Sequence, residues 1–165
     1  MEKEREKDIA YLNDMLVRFE EIFYHELSGC ARPKAELIGS DFLQSKKIRP
    51  GPVEKVIDDC AKEIKAAELV RDISYSIHGF GLCLKLNMKG CIHLPKEVKL
   101  KSDGVEPYVC PIANMILDRI LTVAKYETAY LPYMKIDTDK GECALKCAIY
   151  ETIDKIGQVS DWTKF

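Results

Sequence analysis

The sequence predicts an α+β domain: an antiparallel sheet built from two hairpins, with helices packed on it. Three observations carry this. Apolar residues recur at three- and four-residue steps over residues 4–28 and again over 53–64, as in amphipathic helices. Near residue 70, and again after residue 132, the period falls to two. Each period-two stretch is split by a glycine turn, His78-Gly79 in the first and Asp139-Lys140-Gly141 in the second.

Taken in order, the first helix has Ile9, Leu12, Leu16, Phe19, Phe23 and Leu27 on its stripe, with Gly29 as a left-handed cap. Residues 30–50 read as irregular, around Pro33, the turn group Gly39-Ser40-Asp41 and the basic group Lys46, Lys47 and Arg49. Pro52 occupies a first-turn position, and Val53, Val56, Ile57, Cys60 and Ile64 form the second helical stripe. In the first hairpin Ile73, Tyr75 and Ile77 alternate, then Phe80, Leu82, Leu84, Leu86 and Met88. Pro95 opens a short helix over 95–102 that closes near Gly104, and Pro111 opens another with Ile112, Met115, Ile116, Ile120 and Val123 inward. The second hairpin runs from Tyr133 to Asp137 and returns through Cys143, Leu145, Cys147 and Ile149. Ile156 and Trp162 are the residues that would dock the tail.

Residues 1–165 read as a single domain, with an N-terminal helical part, 1–69, and an α+β part, 70–155. The composition is 47% apolar and 32% charged, and the net charge of −2 leaves no nucleic-acid or membrane footprint. No apolar run approaches the ~20 residues that cross a bilayer. The charged segment from Met1 to Asp8 lacks the apolar core of a signal peptide. Seven cysteines cannot all pair internally, so the expectation is a reducing, cytoplasmic location without direct nucleic-acid or membrane partners.

Five of those cysteines lie between Cys83 and Cys147. Cys110 sits at the cap of the helix opened by Pro111, where unpaired amides and the helix dipole favour thiolate, the form that binds metals or attacks. Cys91 and His93 lie at the exit of the first hairpin, and a short helix with a return loop lets Cys91 and Cys110 meet. Cys143 and Cys147 share a strand face but sit ~13 Å apart, so one of them, Cys147 by preference, would join the other thiols. Cys60 belongs to an apolar stripe, Cys30 is undetermined, and Cys83, beside Lys85 and Asn87, reads as partly exposed. Tyr108, Tyr126 and Tyr130 could wall an apolar ligand pocket or simply be core and rim. The basic group before the second helix is a natural anion site, although a solvated loop is the favoured reading. No nucleophile elbow, phosphate loop or dinucleotide fingerprint is present.

Residues 81–150 resemble the vinyl-4-reductase type of small-molecule-binding domain. The resemblance rests on three features. They are the element order, the segment Gly-Val-Glu-Pro-Tyr-Val-Cys-Pro at 104–111, and the closing hairpin Gly-Glu-Cys-Ala-Leu-Lys-Cys-Ala-Ile-Tyr at 141–150. The resemblance implies a sensor fold that often dimerises and in which cysteines and a carboxylate hold zinc. By that analogy the matching positions are Cys143, Cys147 and Glu142, with the two thiols closer together than in the family's zinc pattern. No helix-turn-helix is evident in residues 1–70.

The leading expectation is a sensor or carrier module, forming a homodimer, that binds zinc, an iron–sulfur cluster or a small apolar ligand. Its core ligands would be Cys91, Cys110 and Cys147, with His93 or Cys143 as the fourth. A thiol enzyme using Cys110 with His93 is the alternative, and an interaction protein whose cysteines merely fill the core is the third reading.

Overall fold

Proline and glycine punctuate the chain where the elements begin and end. Pro52 caps the helix starting at Val53, and Pro111 is the first residue of another, so neither removes a needed backbone donor. Gly141, at φ 64°, turns the second hairpin. The structure is a computed structural model that describes residues 2–27, 36–79 and 83–156. The expectations placed on Gly29, Cys30, Pro33, Phe80, Leu82 and Trp162 lie outside the described residues.

The elements are α1 (Glu2–Leu27), a 3-10 turn (Ser40–Leu43), α2 (Val53–Ala66), β1 (Asp72–His78) and β2 (Cys83–Lys89). They continue with α3 (Leu94–Ser102), α4 (Pro111–Thr122), β3 (Thr128–Asp137), β4 (Glu142–Tyr150) and a last 3-10 turn (Ile153–Lys155). The fold is therefore α+β, in the predicted order. All strand pairs are antiparallel and the sheet order is β1-β2-β4-β3, so the two hairpins join through their second strands.

Register decides which residues face the helices. Leu84 lies opposite Cys147, Leu86 opposite Leu145 and Met88 opposite Cys143. These side chains form one core with Val56, Ile57, Cys60 and Ile64 of α2 and Ile112, Ile116 and Ile120 of α4. Lys85 opposite Lys146 and Asn87 opposite Ala144 mark the other face. A second, smaller cluster lies apart from that core: Val17 of α1 packs with Leu100, Val105, Tyr108 and Val109.

The structure corrects several sequence expectations. β3 begins at Thr128 rather than Tyr133, because a register shift between Tyr130 and Tyr133 interrupts the alternation at Pro132, which cannot donate to a ladder. Cys83 is fully buried rather than partly exposed: on its face burial rises from exposed Asn87, through half-buried Lys85, to Cys83 and its partner Ala148. On α1 the buried residues are Asn13, Val17 and Glu20, while Leu12 and Phe19 of the expected stripe are 43% and 48% exposed. Ile156, expected to dock the tail, is 47% exposed. The basic group is largely spoken for, since Arg49 pairs with Asp59 at 2.9 Å and Lys46 sits over the Phe42 ring at 5.2 Å.

Gly39 joins the irregular segment to the start of α4. Its φ is +89°, and a Cβ there would stand 2.9 Å from the carbonyl oxygen of Pro111. Both the left-handed backbone and the contact oppose any side chain. Gly39→Ala is expected to cost roughly 1–3 kcal/mol, read by urea unfolding; an unchanged midpoint would show that the contact relaxes freely.

Candidate functional site

Three thiols reach one neighbourhood from three distant stretches of chain. Cys91 comes from the turn after β2, Cys110 from the cap of α4, and Cys143 from the start of β4, where it lies opposite Met88. Cys110 is within electrostatic reach of Cys91 and Cys143, and Cys143 of Cys91. Glu97 of α3 acts on all three. Its Oε2 is buried with no hydrogen-bond partner among the described residues.

The cap position does not activate Cys110. Its Sγ accepts from the Ala113 amide at 3.4 Å, which favours thiolate, but burial outweighs this and holds the thiol well above its usual range. Burial likewise pushes Cys91 up to about 11 and Cys143 up to about 12. The expected depression of the Cys110 thiol is therefore reversed, because desolvation of a fully enclosed sulfur exceeds the attraction of one amide and a helix end. At neutral pH these are protonated thiols.

His93 faces elsewhere. Its Nδ1 lies 3.1 Å from Asn13 Oδ1, while Asn13 Nδ2 donates to the Ile92 carbonyl at 2.8 Å. That second bond orients the amide, so the ring nitrogen must be the donor and the imidazole is the Nδ1-protonated tautomer. Burial, aided by the Lys96 charge, lowers His93 to about 4. The histidine thus fastens α1 to the β2–α3 turn, and its side chain is not paired with Cys110.

Next to the thiols lies a buried charged group that the sequence reading did not single out. Lys96 and Glu20 are both 0% exposed and Glu97 is 4% exposed. Lys96 Nζ contacts Glu20 Oε1 at 2.6 Å, Glu97 Oε1 at 2.7 Å and the Val109 carbonyl at 3.3 Å. The Tyr108 hydroxyl donates to the Glu20 carbonyl at 2.9 Å. Burial raises Glu20 to about 7 against the pull of Lys96, and raises Glu97 as well. For Lys96 burial acts downward, but the two carboxylates outweigh it and its pKa is raised. One signal was available in the sequence: Asn13, Val17 and Glu20, spaced four and three apart, share a helix face. Nothing local says that this face, rather than the more apolar one, turns inward.

The remaining expected residues are scattered. Cys147 is fully buried on the helix side of the sheet, opposite Leu84; its electrostatic partner is Cys83, not the other thiols. Tyr108 sits under α1, Tyr126 packs at the edge of the main core, and Tyr130 lies beside the Tyr150 ring at 6.4 Å. These tyrosines do not share a wall. Glu142 pairs with Lys89 at 2.7 Å. Among the described residues, no group of three or more His, Cys, Asp or Glu side chains is arranged to hold a metal ion, and the six described cysteines are free thiols.

Fold and site together define an α+β domain with helices on one face of a four-stranded antiparallel sheet and a buried thiol neighbourhood between them. No protein-family model matches the chain, and neither a curated protein nor a solved structure is significantly similar to it. No helix among the described residues is long and apolar enough to cross a membrane.

Proposed function

We propose that the protein is a sensor or carrier module that takes up a thiophilic metal, zinc or the iron of an iron–sulfur cluster, at Cys91, Cys110 and Cys143. One observation carries the reading: sulfur from three separate stretches converges beside a buried carboxylate whose outer oxygen lacks a partner. Thiolates suit zinc and iron alike. The negative field of Glu97, which opposes ionisation of each thiol, would favour a cation among them. Loading requires the thiols to turn onto a common point and release their protons, so affinity rises with pH. Three thiolates leave a tetrahedral ion one open position. Cys147 drops out of this reading because its neighbour is Cys83 on the opposite face.

The reading keeps the likeness to vinyl-4-reductase type domains, supported by the element order, and with it a cytoplasmic location and a homodimer. The dimer contact would be the outer face of α1. There Tyr11, Met15 and Ile22 are 68%, 38% and 54% exposed beside Leu12 and Phe19.

Protein purified without oxygen should bind one equivalent of cobalt with thiolate-to-metal absorption. Cys91→Ala, Cys110→Ala and Cys143→Ala should each abolish that absorption, while Cys147→Ala should not. No stoichiometric binding, with every thiol freely titratable, would defeat the reading. The same sample separates it from thiol catalysis: Cys110 should alkylate far more slowly than a free thiol at neutral pH, whereas rapid, selective labelling would favour an enzyme.

A further inference from the structure

α1 is held to the body by a small apolar cluster, in which Phe23 and Leu27 pack with Val17, and by a set of buried polar contacts. Its apolar seat is the small cluster around Val17, separate from the main core. Its other inward contacts are Asn13 with His93 and the Ile92 carbonyl, Glu20 with Lys96, and the Glu20 carbonyl with Tyr108. At the centre, two carboxylates share one ammonium, and each keeps one buried oxygen without a partner. With both ionised, a net negative charge is enclosed and uncompensated, which an apolar surround tolerates poorly. With Glu20 protonated the group is neutral and its Oε2 becomes a donor.

We propose that α1 is a pH-sensitive strap: it seats on the domain when the Glu20 carboxyl carries a proton, and it loosens as rising pH strips that proton away. The groups facing Glu20 leave no other compensating charge. From α3 come Lys96 and Glu97, with Lys99 already paired to Asp103 at 2.7 Å. From the loop before α4 comes the Tyr108 hydroxyl; His93 of the β2–α3 turn, neutral above about 4, acts on Lys96, and Cys91 and Cys110 act on Glu97. Cys143 of β4 lies beyond Glu97. On α1 itself Arg18 pairs with Glu21 at 2.6 Å.

The sign follows from linkage. Glu20 binds its proton more tightly in the seated state, about 7 against an ordinary 4.5. The contribution of Glu20 is therefore fully present below its ordinary value and is lost as pH rises through neutrality. His93, lowered from 6.5 to about 4, works against seating at lower pH, so the Glu20 effect is read above pH 6.5. Release gives up one proton, so the opening equilibrium should grow up to about tenfold per pH unit between the ordinary and the raised value and level off above it. Strap release would uncover Val17, Tyr108 and Val109 and open the Glu97 side of the thiol neighbourhood, yet the inference stands on the carboxylate pair alone and not on metal binding.

Amide hydrogen exchange on the full chain, corrected for intrinsic pH dependence, tests it. Between pH 6.5 and 8.5 the amides around Val17 should lose about fourfold of their protection, while those of β2 and β4 keep theirs. Glu20→Gln should hold α1 protection constant across that range. Carbon NMR of the Glu20 carboxyl in the unaltered chain should titrate near neutrality, which keeps the test decisive if the variant does not fold. Equal α1 protection at both pH values, loss shared with the strands, or a Glu20 carboxyl titrating near 4.5 would overturn the proposal.

Discussion

Lys96→Met is expected to destabilise the protein by about 3–5 kcal/mol at pH 8, because it leaves Glu20 and Glu97 buried without their counter-ion. Methionine replaces the stem of the lysine closely, so the packing against the neighbouring side chains survives and the loss reports charge rather than volume. The two carboxyls respond by holding protons. Both already sit above their ordinary range, and without the ammonium both rise further. Groups whose folded pKa is raised support the fold at low pH and withdraw that support as pH climbs through the folded value. The penalty should therefore shrink toward pH 5 and grow toward pH 8. Urea unfolding at the two pH values measures it. A loss below 1 kcal/mol at pH 8, or one that does not depend on pH, would show that the carboxylates find water or another cation.

Leu86→Ala is expected to cost about 2–5 kcal/mol, from the lost transfer of the side chain and the cavity it leaves. Leu86 is 0% exposed on a central strand, opposite Tyr75 on one side and Leu145 on the other, within the core formed by α2, α4 and the sheet. Its neighbours belong to rigid strands on both sides, so the site has little means of collapsing. For a chain of this size each kcal/mol lowers Tm by about 2–4 °C, so calorimetry should find a fall of roughly 5–20 °C in a single transition. Unlike the loss at Lys96, it should be insensitive to pH between 5 and 8. A fall under 2 °C would mean that Leu86 is less tightly enclosed than its burial implies.

How far the sequence reached varies by element. The helices starting at Val53 and Pro111 were legible because each joins a proline stop to a clear three-and-four spacing, and both face a single core. The two hairpins were legible because alternation of period two survives wherever one face is buried. β3 was cut short because the register shift at Pro132 breaks that alternation for its first residues. α1 was found as a helix, but its inward face is turned from the expected stripe: Phe23 and Leu27 still pack inward, whereas Leu12 and Phe19 face out. Hydrophobicity ranks Leu12 and Phe19 above Asn13 and Glu20, and local sequence holds no term for a lysine some seventy residues away that makes Glu20 tolerable inside.

Of the candidate site, the sequence by itself determined the residue types: thiols before a proline-started helix, after one hairpin and along another, with a histidine close by. Which thiols share a neighbourhood was decided only in three dimensions, by the pairing of β2 with β4. That register places Cys143 opposite Met88, near the turn that carries Cys91, and sends Cys147 toward Leu84. A strand advances ~3.3 Å per residue, so four positions along β4 separate one sulfur from the other, and no feature of the local sequence says which end the helix cap will meet. The buried Glu20–Lys96–Glu97 group is likewise a product of tertiary structure. Charges enter an interior only when partners from distant segments arrive together, and that coincidence has no local signature.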